Sequence, residues 1–189
     1  MYGIIILLWF KLLLPFLTMR TTTFGTMLVV KDINSLVTPL PGQAFIGVLI
    51  ESIHKVKYSL DIIQYQWNFY PDQPKSHVQE LNRAILSKAE VGVKMRVLLN
   101  KEGREQHLMA INMKAARFLG DAGISVKFGR TFPITHAKLW IFDDDAVILG
   151  SHNLSNRSVT VNFEASALIK SREVAREFKR YFDVLWNLI

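Results

Sequence analysis

The chain alternates strand-like apolar runs with amphipathic stretches, and this alternation restricts its possible folds more than any other feature. Apolar residues recur at helical spacing over residues 44–53 and 78–89. Strand-like runs follow each of them, at 60–67 and at 93–99, the second with Val93, Met95, Val97 and Leu99 on one face. Strands that alternate with helices predict an α/β sandwich, a mixed and largely buried sheet with helices on both faces.

The same pattern continues to the C-terminus. A helix is predicted over residues 104–119, short strands at 124–128, 135–142 and 146–149, then a strand at 161–169 and a final amphipathic helix. A length of 189 residues suits one well-packed domain. We place this domain at residues 41–189.

The N-terminal segment differs from the rest because residues 2–19 are almost entirely apolar, interrupted by Lys11 and Pro15. This length is near the lower limit for crossing a bilayer. No basic residue precedes the run and a poor cleavage site follows it, so an uncleaved anchor is preferred to an atypical signal peptide or a buried helix. We predict an anchor or signal segment at 1–20, a linker at 21–40, and a protein that is membrane-associated or exported. In a eukaryote, the membrane would be mitochondrial.

The charge and cysteine content limit the partners and the chemistry. The formal net charge of +7 favours polyanions, either nucleic acid or acidic lipid headgroups. The chain contains no cysteine, which excludes disulfides, a thiolate nucleophile and Cys-ligated metal.

Reactive side chains are concentrated between residues 136 and 164, at predicted strand ends. Residues two apart on a strand share a face, which places an imidazole beside an ammonium group. A hydroxyl, an amide and a carboxylate follow on the next two strands, and together they supply what a phosphodiester needs: a nucleophile, donors to phosphate oxygens, and a carboxylate to orient the imidazole. The set is His136, Lys138, Asp143, Ser151, Asn153 and Glu164.

In this spacing the chain resembles the phospholipase D superfamily. The family signature is His, any residue, Lys, four residues, Asp, six residues, Gly-Ser or Gly-Gly, and an Asn two positions beyond. Residues 136–153 match it without a gap, and Glu164 stands where the downstream acidic residue is expected. The resemblance extends from about residue 42 to the C-terminus, so it implies a phospholipase D-like catalytic domain.

The resemblance implies roles for these side chains. His136 would attack phosphorus to form a phosphohistidine that water then hydrolyses. Lys138 and Asn153 would hold the nonbridging oxygens with help from Ser151. Glu164 would hydrogen-bond the histidine of its own subunit and fix its tautomer.

Asp143 belongs to the same motif, but its position in an Asp-rich turn favours a structural role at the strand end. Neither a metal nor another cofactor is expected, because Lys138 and His136 supply the positive charge that a metal otherwise would.

The sequence contains a single copy of the motif. Small single-motif members of the family, the bacterial endonucleases and the mitochondrial cardiolipin hydrolases, form homodimers that bring two copies together across a twofold axis. We therefore expect a homodimer with one composite site.

Further candidates flank this set. Arg130 and Arg157 lie in predicted loops and would bind substrate phosphates, although a solvated surface charge fits each equally well. An aromatic cluster begins at the end of the 60–67 run and could border the site and stack on bases, although packing in the core or at a dimer interface is the more frequent use. Its members are Tyr65, Trp67, Phe69 and Tyr70.

Three functions fit these observations. The first is a metal-independent endonuclease that hydrolyses DNA or RNA. The second is a phospholipase D or cardiolipin hydrolase that acts on membrane phospholipid, to which the apolar N-terminus would bring it. The third is a nucleic-acid-binding module without activity, against which the complete catalytic set argues.

Overall fold

The computed structural model describes residues 35–101 and 105–189, which are built around one mixed seven-stranded sheet. The spatial order of the strands is β1-β7-β6-β5-β2-β3-β4. Strands β2, β3 and β4 are parallel and the other neighbouring pairs are antiparallel. In chain order they are β1 (Leu36–Pro41), β2 (Ser59–Gln64), β3 (Lys94–Leu99), β4 (Ser125–Phe128), β5 (Leu139–Phe142), β6 (Ala146–Gly150) and β7 (Ala165–Lys170).

Helices cover both faces of the sheet, as the sequence predicts. They are α1 (Ala44–Lys55), α2 (His77–Glu90), α3 (Gln106–Asp121), α4 (Asn156–Thr160) and α5 (Arg172–Asn187). Alternate residues of a strand point to opposite faces. Accordingly, Ile62 and Val97 pack against α1, α2 and α3, whereas the adjacent Ile63 and Leu98 pack against α5.

The linker prediction is wrong for residues 36–40, because these residues form β1 at the edge of the sheet, antiparallel to β7. Pro39 and Pro41 indicate a break in the sequence, but an edge strand tolerates proline because one of its sides needs no donor. Residues 1–34, with the predicted anchor and the rest of the linker, lie outside the described residues.

Three strands are shorter than predicted, and the residues they omit matter for function. β2 ends at Gln64, β5 begins at Leu139, and β7 begins at Ala165. The segments just outside these strands contain His136, Lys138 and Glu164. The short helix α4, which was not predicted, lies between β6 and β7.

Local signals explain two of the boundaries. α2 begins after Ser76, whose Oγ accepts a hydrogen bond from the Gln79 amide at 3.2 Å. The β5–β6 turn has Asp143 and Asp144 at positive φ (51° and 54°), a conformation that short acidic side chains tolerate. No helix within residues 35–101 and 105–189 has the length and apolar character to cross a membrane.

Candidate active site

The predicted catalytic side chains meet at one edge of the sheet. β2 and β5 are antiparallel, so the start of β5, which follows Lys138, lies beside the end of β2. The segment that follows β6 carries Ser151 and Asn153, and the residue before β7 is Glu164. The structure thus brings together five of the six residues of the motif set.

His136 and Lys138 are in direct contact. The Lys138 Nζ donates to the His136 carbonyl oxygen at 2.9 Å and lies 3.3 Å from Nε2 and 3.5 Å from Nδ1 of the imidazole. The Tyr65 ring lies 4.7 Å from the His136 ring, and the Lys138 Nζ lies 4.8 Å from the Tyr65 ring centroid. Tyr65 therefore lines the site, whereas Trp67 of the same cluster is buried in the core against Trp140, and stacking on bases stays a prediction.

The electrostatic environment favours a neutral imidazole beside a cation. Burial lowers the pKa of His136, and the charge of Lys138 lowers it further. Burial also lowers the pKa of Lys138, against a smaller opposing effect of Glu164. Among the described residues, no carboxylate lies within ion-pair distance of Lys138. The site therefore combines an imidazole that is unprotonated near neutral pH with a buried ammonium group that can bind an anion.

Glu164 is held by the segment that follows β6 and by α4. Ser151 Oγ donates to its Oε2, while Ser158 Oγ (3.1 Å) and Asn162 Nδ2 (3.3 Å) donate to its Oε1. Burial alone would raise the pKa of Glu164, but these hydrogen bonds outweigh it and the pKa is lowered. The expected hydrogen bond to His136 is not present among the described residues, and the donors to Glu164 are Ser151, Ser158 and Asn162.

Asn153 is anchored through its backbone. Its amide donates to Ser158 Oγ at 2.9 Å. Its side-chain Oδ1 is buried and accepts no hydrogen bond from any described residue. Buried polar atoms without partners are rare in folded proteins, and this one lies within the catalytic motif.

His152, between two motif residues, is part of the fold. Its ring is buried and stacks on Phe45 with centroids 4.1 Å apart. Nε2 donates to the Gly42 carbonyl at 3.0 Å, and Nδ1 lies 2.7 Å from Ser166 Oγ. Burial lowers the pKa of His152, so the neutral ring fits these contacts.

Asp143 is the motif residue that the structure does not bring to the cluster. It follows β5 at the opposite end of the strand, about 16 Å from Lys138 at the usual rise per residue. Its carboxylate accepts backbone hydrogen bonds at 2.8 Å from Lys57, Tyr58 and Ser59. These bonds fix the α1–β2 loop to the β5–β6 turn, which is a structural role of the kind that the Asp-rich turn favours, so Asp143 does not belong with the catalytic candidates at the other end of the strand.

The two arginines predicted to bind phosphate have different surroundings. Arg130 donates through Nη2 to the Leu188 carbonyl at 3.2 Å, which holds it near the end of α5. Arg157 is exposed on α4, next to Ser158. A phosphate-binding role stays a prediction for both.

Sequence reasoning missed Ser158 and two buried amides that hold the site in place. Asn112 on α3 donates to the carbonyls of Tyr65 (2.8 Å) and Asn100 (3.0 Å) and accepts from the Trp67 amide (3.0 Å). Asn100 in turn accepts at 3.1 Å from the amide of the residue before His136. The sequence does contain one signal for this network, because Asn112 is a polar residue on the apolar face of a predicted helix and a buried amide needs hydrogen-bond partners.

Comparison with known proteins identifies the family of the chain. The sequence pattern of the family described as "Cardiolipin synthase, PLD-like domain" matches residues 49–186. The chain therefore belongs to the phospholipase D superfamily, a group that contains phosphodiester-cleaving enzymes.

The individual relatives are distant. The chain is 28% identical over 171 residues to the 5′-3′ exonuclease PLD3 of Xenopus laevis, covering 85% of this chain and 33% of that protein. It is 29% identical over 114 residues to a cardiolipin synthase of Staphylococcus aureus, covering 60% and 22%. The chain thus spans a third or less of the length of these curated relatives.

A solved structure gives the same fold. The phospholipase D family member Nuc of Salmonella typhimurium superimposes with a TM-score of 0.66 at 21% identity, covering 82% of this chain and 94% of that one.

Proposed function

We propose that the protein is an endonuclease that hydrolyses DNA or RNA through a phosphohistidine intermediate on His136. The observation that carries the proposal is the contact between the neutral imidazole of His136 and the buried ammonium of Lys138, which pairs with no carboxylate among the described residues. A phosphodiester supplies both the electrophile for the first and the anion for the second. The net charge of +7 and the similarity to a protein named as an exonuclease support nucleic acid as the substrate.

In the proposed reaction, His136 forms a bond to phosphorus as the bond to the leaving oxygen breaks. Lys138 and Asn153 hold the nonbridging oxygens during this step. The leaving oxygen takes a proton from a second imidazole, which starts as the imidazolium because the two facing histidines share one proton. This imidazole then removes a proton from the water that hydrolyses the intermediate. The cycle thus returns both imidazoles to their starting states.

The second imidazole comes from His136 of the partner subunit in a twofold homodimer, because the sequence contains one copy of the motif. This arrangement makes turnover depend on concentration. Activity per chain is expected to fall on dilution, in step with the loss of dimer mass measured by analytical ultracentrifugation. A monomer with full activity would contradict the composite site.

The test of the reaction uses purified protein with single- and double-stranded nucleic acid in EDTA. We expect cleavage to persist in the chelator and to fall on the order of 10⁴-fold or more in His136→Ala. His54→Ala, which removes an exposed histidine of α1, is the matched control and should retain activity. Loss of wild-type activity in EDTA would show that the proposed mechanism is wrong.

Hydrolysis of phospholipid is the second candidate function. Its specific support is a set of exposed apolar side chains on the two loops beside the site, Phe132 and Ile134 before His136, and Val161 and Phe163 before Glu164. Such side chains can enter a membrane surface, and one relative is named a cardiolipin synthase. Turnover of cardiolipin liposomes without cleavage of nucleic acid would favour this function, and binding without turnover of either substrate would establish the non-catalytic alternative.

A further inference from the structure

A mostly apolar groove of about 820 Å³ lies beside the catalytic edge and takes no part in the reaction proposed above. One wall is the loop after β2 and the other is α3, with the end of β4 closing one side. We call it the aromatic groove and define it by Phe69, Met113, Phe118 and Phe128.

The groove and the catalytic residues share one edge of the sheet, where the parallel strands β2, β3 and β4 all end. Phe69 is four residues beyond Tyr65, so their Cα atoms are at most about 14 Å apart. On the other side, the residue after β4 is Gly129, where an added Cβ would lie 2.1 Å from Thr135 Oγ1, next to the catalytic histidine. A substrate strand at the histidine can therefore reach the groove within a few nucleotides.

The lining of the groove suits a flat aromatic ligand. The Phe69 and Phe118 rings stack on each other, 4.4 Å between centroids and 22° between planes, and both are partly exposed. The loop that carries Phe69 is fixed to α4, because the Tyr70 hydroxyl accepts from the Asn156 amide at 3.3 Å. Aromatic faces held rigidly at a surface are the platforms on which single-stranded bases stack.

The charges around the groove distinguish between ligands. Lys114 and Arg117 lie three residues apart on the exposed side of α3, and Asp72 and Asp121 offset them. An acidic lipid surface that contacted the groove would be repelled by the carboxylates of Asp72 and Asp121. A single strand avoids them by stacking its bases in the groove while its phosphates stay in solvent beside the two cations.

We propose that the aromatic groove binds a base of single-stranded nucleic acid that flanks the scissile phosphate. This rests on the proposed nuclease function and extends it, since it makes a single strand the preferred substrate and makes recognition tolerant of sequence. Stacking, and not attraction of phosphate, provides the affinity.

The test compares cleavage of a single-stranded oligonucleotide with cleavage of the same strand carrying abasic residues around the cleaved position. The wild-type protein should prefer the strand with bases by at least about fivefold in kcat/KM. Phe69→Leu keeps an apolar side chain but removes the ring, and Met113→Glu places a charge in the groove from an exposed helix position. Both should reduce the preference to near unity. Equal cleavage of the two strands by wild type would overturn the proposal.

Two controls separate the groove from the catalytic residues. Turnover of bis(p-nitrophenyl) phosphate, which is too small to reach the groove, reports on the catalytic residues alone. Arg176→Glu places a negative charge on α5, across the sheet, and should leave the preference for bases intact. A preference that survives both Phe69→Leu and Met113→Glu would also overturn the proposal.

Binding of the oligonucleotide to His136→Ala, measured by fluorescence anisotropy, distinguishes failure of the groove from failure of the nuclease function. Base-dependent binding that Phe69→Leu weakens at least about fivefold supports the groove even if no strand is cleaved. Equal affinity for the strands with and without bases would contradict the proposed role of the groove, even if cleavage supports the nuclease function. If Met113→Glu impairs turnover of liposomes while Phe69→Leu does not, the groove binds an acyl chain and the proposal is wrong.

Discussion

Two cationic side chains of this protein, Arg96 and Lys138, have opposite surroundings. Arg96 in β3 donates two hydrogen bonds of 2.7 Å to the buried Asp61 and one of 2.8 Å to Asp183. Its guanidinium carbon also lies 4.7 Å from the Phe182 ring centroid. Lys138, at the catalytic edge, contacts a backbone carbonyl, an imidazole and a tyrosine ring, but no carboxylate among the described residues pairs with it.

The pKa values of the two groups move in opposite directions. The hydrogen bonds that Arg96 donates to Asp61 raise the pKa of Arg96, whereas burial lowers the pKa of Lys138. A buried charge that pairs with an opposite charge in the fold contributes to structure. A buried charge without such a partner is available to bind a ligand. The comparison predicts that removing each cation damages a different property of the protein.

Within the comparison of the two cations, the largest effect is expected from Lys138→Met. Loss of a donor to the phosphate oxygens should lower kcat about 10²- to 10³-fold. The free energy of unfolding should stay constant or rise, because a buried cation without a carboxylate partner is costly to the folded state. Turnover assays and urea denaturation measure the two quantities. A protein destabilised by more than about 2 kcal/mol would contradict this account of Lys138.

Arg96→Met should show the converse. It leaves Asp61 buried without its main partner, so we expect a loss of roughly 2–4 kcal/mol of unfolding free energy, below the value for a fully buried pair because Arg96 is partly exposed. The folded fraction should retain kcat within about threefold. Combining Arg96→Met with Asp61→Asn should recover part of the loss in urea denaturation. An additive double variant would show that the pair is not coupled.

Two buried asparagines should also differ, one affecting stability alone and the other affecting both stability and activity. Asn112 holds the backbone of Tyr65, whereas Asn82 accepts from the Trp67 indole at 2.9 Å. Each change to Ala should cost about 1–3 kcal/mol of stability. Asn112→Ala should in addition lower kcat about tenfold with KM little changed, since a small displacement of catalytic groups is costly. Equal kcat values in Asn82→Ala and Asn112→Ala would show that Asn112 does not position the catalytic residues.

The smallest effect concerns the titration of His136. Its pKa should lie below the ordinary 6.5, because burial and Lys138 both disfavour the imidazolium. The unfolded chain then binds the proton more readily, so the contribution of His136 to stability is present above pH 6.5 and is lost as the pH falls through the folded pKa. Lys138→Met should raise this pKa in an NMR titration, with the resonance assigned by its absence in His136→Ala. An unchanged midpoint would mean that Lys138 does not act on the ring.

Most of the secondary structure was predictable because it depends on local periodicity. The alternation over 93–99 placed Val93, Met95, Val97 and Leu99 on one face, and all four pack in the same cluster. The edge strand β1 was not predictable in this way, because its two prolines resemble a loop until β7 provides a partner. Pairing between residues more than a hundred positions apart leaves no local signal.

The residues of the catalytic motif follow from their identity and spacing, and the sequence alone was enough to place the chain in its superfamily. Their contacts depend on neighbours from other elements. Glu164 engages Ser151, Ser158 and Asn162 instead of His136, and Asp143 fixes a distant loop. Three-dimensional packing alone decided that Lys138 would be buried with no carboxylate partner among the described residues and that an aromatic groove would lie at the same edge of the sheet. Burial and the pairing of charges depend on every element packed around a group, and spacing along one chain does not record them.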